Sequence, residues 1–200
     1  YFNRNLAAEY KSNSQRARIL TENWVKKDAF CPSCGKALSQ YGNNKPVADF
    51  YCMDCCEDYE LKSKKSSFGS KIVDGAFDEM IKRLTSSSNP NLFLLNYNII
   101  DLKVVNFFLI PKHFFVPGII EKRKPLSPDA EQANWVGCNI LLQSIPETGK
   151  IYYIHDSRVV PDEQVLALVR QLDDRTHGLL RVVDRSQRVE LLDQLCAYGS

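Results

Sequence analysis

The sequence has no long apolar run. No window approaches the ~18 uninterrupted apolar residues of a membrane-spanning helix, so a span is not expected. The opening residues, YFNRNLAAEYKSNSQRARIL, lack the charged-then-apolar layout of an export signal, and a cytoplasmic protein is expected. The chain opens at Tyr1 rather than Met, so a few residues are expected ahead of it. Histidine is scarce: His113, His155 and His177 share no motif with another ligand or nucleophile, and none is given a role. The absence of any internal repeat excludes solenoids and propellers. A net charge of +2 is too small to announce a nucleic-acid partner, so such a partner must be read from where the charges lie. The seven cysteines are odd in number, and without an export signal a disulfide framework is a poor reading. Metal ligation or buried thiols fit better.

What is present is enough apolar residue for a core: 44% of 200 residues are hydrophobic, which suits one domain with a small appendage. Residues 13–27 start with Asn and Ser and end in Lys, as a helix would. Residues 46–52 and 57–63 look like strands joined by a cysteine-bearing turn. In 72–84, Ile72, Ala76, Phe77, Met80, Ile81 and Leu84 share a helical face. The runs 92–98, 103–110, 137–143 and 150–156 are short, apolar and rich in β-branched or aromatic residues, as strands of a buried sheet are. Residues 161–172 begin with Pro and place Val165, Leu168, Val169 and Leu172 at helical spacing. Trp24, inside the first helix, belongs to the core. The result is a mixed α/β domain.

Cys31 and Cys34 form one C-x2-C pair and Cys52 and Cys55 a second, with residues 35–51 between them. This spacing is that of a four-thiolate zinc ribbon, a closed structural site. Cys56 could replace Cys55 only by breaking the C-x2-C bite. Cys138 and Cys196 read as small buried hydrophobes.

Asp49 lies at one strand end, and Glu60 and Lys62, two apart on the next strand, face the same side. Two carboxylates brought together by a hairpin could hold a hard divalent cation, while Lys62 could orient and help deprotonate an attacking water. The bland alternative is a solvated acidic turn followed by a lysine run. The larger pattern, P-x2-D then E-x-K on apolar strands, resembles the PD-(D/E)xK nuclease core. The fold class expected is therefore an α/β PD-(D/E)xK restriction-endonuclease-like core, a mixed central sheet flanked by helices, with the zinc ribbon inserted at 31–55.

The segments NSQRARILTENWV, CPSC, NNKPVADFYC, ELKSKK, DGAFDEMIKR, EKRKPLSP and NWVGCNI, in that order, are similar to the catalytic domain of the DpnI/Dam-replacing family of restriction endonucleases, over roughly residues 9–175. The resemblance implies a bacterial, Mg2+-dependent enzyme that cuts double-stranded DNA at GATC when its adenine is N6-methylated. Asp49, Glu60 and Lys62 would be catalytic, Asp49 and Glu60 would bind Mg2+, and Cys31, Cys34, Cys52 and Cys55 would bind structural Zn2+. Family members such as DpnI also carry a C-terminal winged-helix domain. Here residues 1–178 are expected as the nuclease domain, and 179–200 as a tail or a linker toward a winged helix that this chain does not include. The segment DAEQAN is more acidic than a DNA-facing loop should be.

Duplex DNA needs cations along its groove. Lys64, Lys65, Lys71, Lys112, Lys122, Arg123 and Lys124 are candidates for phosphate contact, although each alone also suits a solvated surface. An N6-methyl group offers no hydrogen bond, so it must be met by an apolar surface in the major groove. Trp135, in a turn-rich segment before a strand, is the candidate, against the usual place of tryptophan in a core. A monomer in solution is expected. Two other functions remain open at this point: a non-cleaving module that binds methylated DNA, and a repair or junction nuclease with the same core.

Overall fold

In the computed structural model the described residues are 1–42, 48–86, 89–129 and 134–180, with side chains described through residue 174. In chain order the elements are α1 (Asn13–Asp28), β1 (Ser39–Gln40), β2 (Phe50–Tyr51), β3 (Asp58–Lys64), β4 (Lys71–Ala76) and α2 (Phe77–Leu84). There follow β5 (Asn91–Asn98), β6 (Lys103–Ile110), β7 (Ile120–Lys122), β8 (Gly137–Leu141), β9 (Ile151–His155), β10 (Arg158–Val159) and α3 (Asp162–Leu180). None of these helices is long and apolar enough to cross a membrane.

Three of the apolar runs become β5, β6 and β9 of a seven-stranded mixed sheet, ordered β1-β2-β3-β5-β6-β9-β10, while the run at 137–143 supplies β8 of a second sheet. Leu92, Phe93, Leu94 and Leu95 of β5 are fully buried because both faces of the strand are covered, and each such side chain contributes about 1.5–3 kcal/mol of burial. Phe93, Leu95 and Tyr97 join a core with Leu20, Trp24 and Val25 of α1 and Val165 and Val169 of α3. On the opposite face, Leu92 and Leu94 pack with Met80 and Leu84 of α2 and with Cys138 and Ile140 of β8. That second face is roofed by a three-stranded sheet, ordered β4-β8-β7. The expectations for Trp24 and Cys138 hold, whereas Leu168 is 38% exposed, outside the buried stripe of α3.

β3 runs parallel to β5, with Glu60 opposite Leu92 and Lys62 opposite Leu94. Parallel neighbours need a crossover, and β4 and α2 supply it. Here the expected helix over 72–84 is corrected: Lys71–Ala76 is a strand, and only Phe77–Leu84 is helical. The reason is tertiary. Val73 is β-branched and Gly75 is a poor helix former, and β8 offers a ladder in which Ile72 faces Ile140 and Asp74 faces Cys138. Burial then alternates along β4 with a period of two. The strand expected at 137–143 ends at Leu141 in a single 3-10 turn. Of the strand expected at 46–52, residues 46–47 lie outside the described residues, as do Ala130, Glu131, Gln132 and Ala133 of the acidic loop and everything beyond 180, including Cys196. The side chain of His177 is likewise not described.

Candidate active site and metal centre

The two C-x2-C segments fold into near-identical knuckles. Gly35 donates its N–H to the carbonyl of Cys31 at 2.7 Å and Cys56 donates to that of Cys52 at 3.0 Å. The N–H of Cys31 reaches Lys36 O and that of Cys52 reaches Glu57 O. Each turn needs a left-handed residue just after its second cysteine: Gly35 has φ +78° and Cys56 has φ 59°. Cys56 is therefore the turn-former of the second knuckle, exposed and outside the thiol group.

The sulfurs of Cys31, Cys34, Cys52 and Cys55 all lie within 4.8 Å of one another, with Cys31 to Cys55 and Cys34 to Cys52 each at 3.4 Å. A Zn–S bond of about 2.3 Å in tetrahedral geometry sets sulfur separations near ~3.8 Å, so the four thiols fit an ion of zinc's size and softness and could hold it. Without a cation, burial pushes the Cys34 thiol up to about 11. The fully buried Tyr59 places its hydroxyl 3.1 Å from Cys31 Sγ and stacks on Phe93 at 4.8 Å. Through Tyr59 the ribbon is joined directly to β3.

That joint matters because Tyr59 precedes Glu60. β2 pairs with β3, Phe50 opposite Tyr59, and the N–H of Asp49 donates to Tyr59 O at 3.0 Å. The side chain of Asp49 turns back along β3, where its Oδ2 accepts from the N–H of Leu61 at 2.7 Å. Burial raises the pKa of Asp49, the Leu61 N–H opposes this, and the nearby Glu60 and Glu22 raise it further. Lys62 acts in the opposite direction and lowers it.

Glu60 and Lys62 do share a face, as expected from their spacing. Lys62 Nζ lies 2.8 Å from Glu60 Oε1 and 2.8 Å from Asp74 Oδ1. Glu60 Oε2 is bound by Arg83 of α2 at 2.6 Å. Burial pulls the pKa of Lys62 down, but the two carboxylates override it and leave it raised. The two carboxylates favour the charged form of Lys62. Three participants were not legible: Asp74, Arg83 and Glu22. Glu22 is buried in α1, paired with Arg18 and with Gln40 Nε2. A glutamate inside the stripe Leu20, Thr21, Trp24, Val25 was its one sequence signal.

Among the described residues only the cysteines bring three or more ligand atoms close enough to share an ion. That is compatible with Mg2+ at Asp49 and Glu60, because Mg2+ keeps most of its waters and takes one or two protein carboxylates plus phosphate.

The proposed DNA-facing cations fall into separate groups. Lys64 and Lys65 line a cleft of about 710 Å³ with Arg4 and Arg16, and no carboxylate lines it among the described residues. Lys122 lies 5.1 Å over the Phe77 ring, and Arg123 Nη1 lies beside Gly137 and the Trp135 ring. Lys124 continues that exposed loop. Lys71 is paired with Glu121 at 2.6 Å and Lys112 with Glu57 at 2.7 Å. Trp135 is half-buried, packed over Gly137 so tightly that a Cβ there would meet the ring at 2.8 Å. The buried Cys138 feels Asp74, Lys62, Arg123 and Glu60 together, so the loop of Arg123 and the catalytic candidates border the same strand.

The same segments are matched as one unit: the family model of DpnI, the Dam-replacing family, aligns with residues 1–173 of the 200. On that coverage the chain belongs to the DpnI, Dam-replacing family, a family of restriction endonucleases.

Proposed function

We propose that the protein is a type II methyl-directed restriction endonuclease that hydrolyses phosphodiester bonds of double-stranded DNA at GATC sites carrying N6-methyladenine, with Mg2+ as catalytic and Zn2+ as structural ion. The observation that carries this reading is the cluster on the β2–β3 hairpin: Asp49, whose Oδ2 accepts from the N–H of Leu61, next in sequence to Glu60, at 2.7 Å, and Lys62 Nζ 2.8 Å from Glu60. Carboxylates converging where a phosphate must sit would repel it unless a cation intervened. Binding alone has no use for them.

Asp49 and Glu60 would hold Mg2+, which when bound supplies charge neutralisation at the phosphate and an acidified water. Lys62 would orient the attacking water and help to deprotonate it, and its charge would favour the negative charge that builds on the phosphate. Cys31, Cys34, Cys52 and Cys55 would hold Zn2+ away from the reaction, their task being to fix the hairpin. Lys64, Lys65, Lys71, Lys122, Arg123 and Lys124 would contact phosphates, and Trp135 would receive the methyl group. The protein would act as a monomer in the cytoplasm of a bacterium. The test is incubation with methylated and unmethylated plasmid in Mg2+ and in EDTA. Cleavage of methylated plasmid in Mg2+ alone is expected; binding of that plasmid without nicking would make the chain a reading module instead.

A further inference from the structure

Asp74 reaches the site from a different sheet. It lies on β4, beside an irregularity at Gly75 where the pairing with β8 shifts between Asp74 and Ala76. Such bulges re-aim a side chain, and here the carboxylate lands on Lys62 Nζ at 2.8 Å, with the N–H of Gly75 donating to the same Oδ1 at 2.7 Å. Its other oxygen, Oδ2, is buried and has no hydrogen-bond partner among the described residues. A buried, half-satisfied carboxylate costs stability, and packing alone would be better served by an apolar residue among Cys138 and its neighbours.

Glu60 is the less dependable partner for Lys62. Both of its oxygens are already engaged, one by Lys62 and one by Arg83, and it is the group that must turn if it is to serve a cation. A lysine left by Glu60 regains the freedom of a long, rotamer-rich stem. Among the described residues Asp74 has no second cationic partner, and it sits on a strand paired with β8.

We propose that Asp74 is a positioning residue of this active site, anchoring the Lys62 ammonium from the second sheet so that it stays in place when Glu60 turns away. It acts through Lys62 and touches no reacting atom. The inference rests on the nuclease reading above for its catalytic consequence, but the anchoring itself does not.

The experiment uses Asp74→Asn, which keeps the size and the acceptor for Gly75 but removes the charge, and Asp74→Ala. Two readouts are taken on the full chain. The first is single-turnover cleavage of methylated plasmid in Mg2+, with KM and DNA affinity measured separately. The second is the rate at which an amine-acylating reagent labels Lys62, followed by peptide mass spectrometry with no DNA present. For Asp74→Asn the cleavage rate is expected to fall about 100-fold, the scale of a misplacement of roughly 1 Å, with KM and DNA affinity within about two-fold of the parent. Lys62 is expected to label several-fold faster, and zinc content and melting temperature to hold. Wild-type cleavage and wild-type labelling together would overturn the proposal, as would a lost rate accompanied by lost zinc in both variants. An inactive parent would overturn the nuclease reading, and labelling would still decide whether Asp74 anchors Lys62.

Discussion

Tyr59→Phe separates the link between the cysteine knuckles and β3, the strand of Glu60 and Lys62, from its packing. The ring is fully buried and stacked on Phe93 at an interplanar angle of 14°, and phenylalanine keeps both features. What disappears is one hydroxyl, 3.1 Å from Cys31 Sγ. The sulfur keeps its neighbour Cys55 at 3.4 Å, so the loss is that of one hydrogen bond, about 0.5–1.5 kcal/mol. If the bond forms only when the sulfur carries the ion, the same energy appears as metal affinity, about two- to twelve-fold at 1.4 kcal/mol per decade. Partners of a metal ligand more often cost 10–100-fold, and the upper part of the first range is expected because the site is buried. The assay is competition for zinc with a chromogenic chelator, alongside melting with and without added zinc. The expected result is weaker zinc retention, a lower melting temperature in chelator, and near-parent cleavage when zinc is saturating. Equal zinc affinity in parent and variant, within two-fold, would refute a hydroxyl that supports the thiolate.

Cys52→Ser is expected to lose the ion, unfold the hairpin and abolish cleavage together; elemental analysis finding less than about half an equivalent of zinc in a well-folded parent would end the four-thiolate assignment. Lys62→Ala and Asp49→Ala should abolish cleavage while leaving DNA affinity and zinc content nearly intact, and turnover at the parent's rate in either would remove that residue from the mechanism. Gly137→Ala puts a methyl 2.8 Å from the Trp135 ring and forces it aside. Like Trp135→Ala, it should reduce the preference for methylated over unmethylated duplex more than it reduces general affinity, since one methyl contact is worth about 0.8 kcal/mol. Competition assays at several salt concentrations that return parental ratios for both variants would place the methyl reader elsewhere.

The groupings that the structure shares with the sequence reading are those written in local spacing. Two C-x2-C pairs specify tight turns whatever surrounds them, and the structure brings their four sulfurs together. Glu60 and Lys62 share a face because strand geometry alternates every residue. Cys56 was ambiguous as a cysteine and becomes clear only beside Gly35, once both are seen to fill the same left-handed position. Asp74 was hidden by a wrong period: with 72–84 taken as one helix, it falls off the apolar face and reads as a solvated acid. Its place on Lys62 exists only because β8 pairs with β4, a contact between residues more than sixty positions apart in the chain.

By itself, then, the sequence determined the cysteine knuckles, the carboxylate–lysine order, the buried central strands and the family. Each follows from interactions over a few residues or from a co-linear series of motifs. The tertiary structure decided which charges meet. It set Lys62 between Glu60 and Asp74, put Arg83 on Glu60, gathered Arg4 and Arg16 with Lys64 and Lys65, and turned Lys71 toward Glu121. Charge pairing depends on distances between side chains that no local periodicity encodes, and on burial, which makes such pairs matter and which only the packed sheets create.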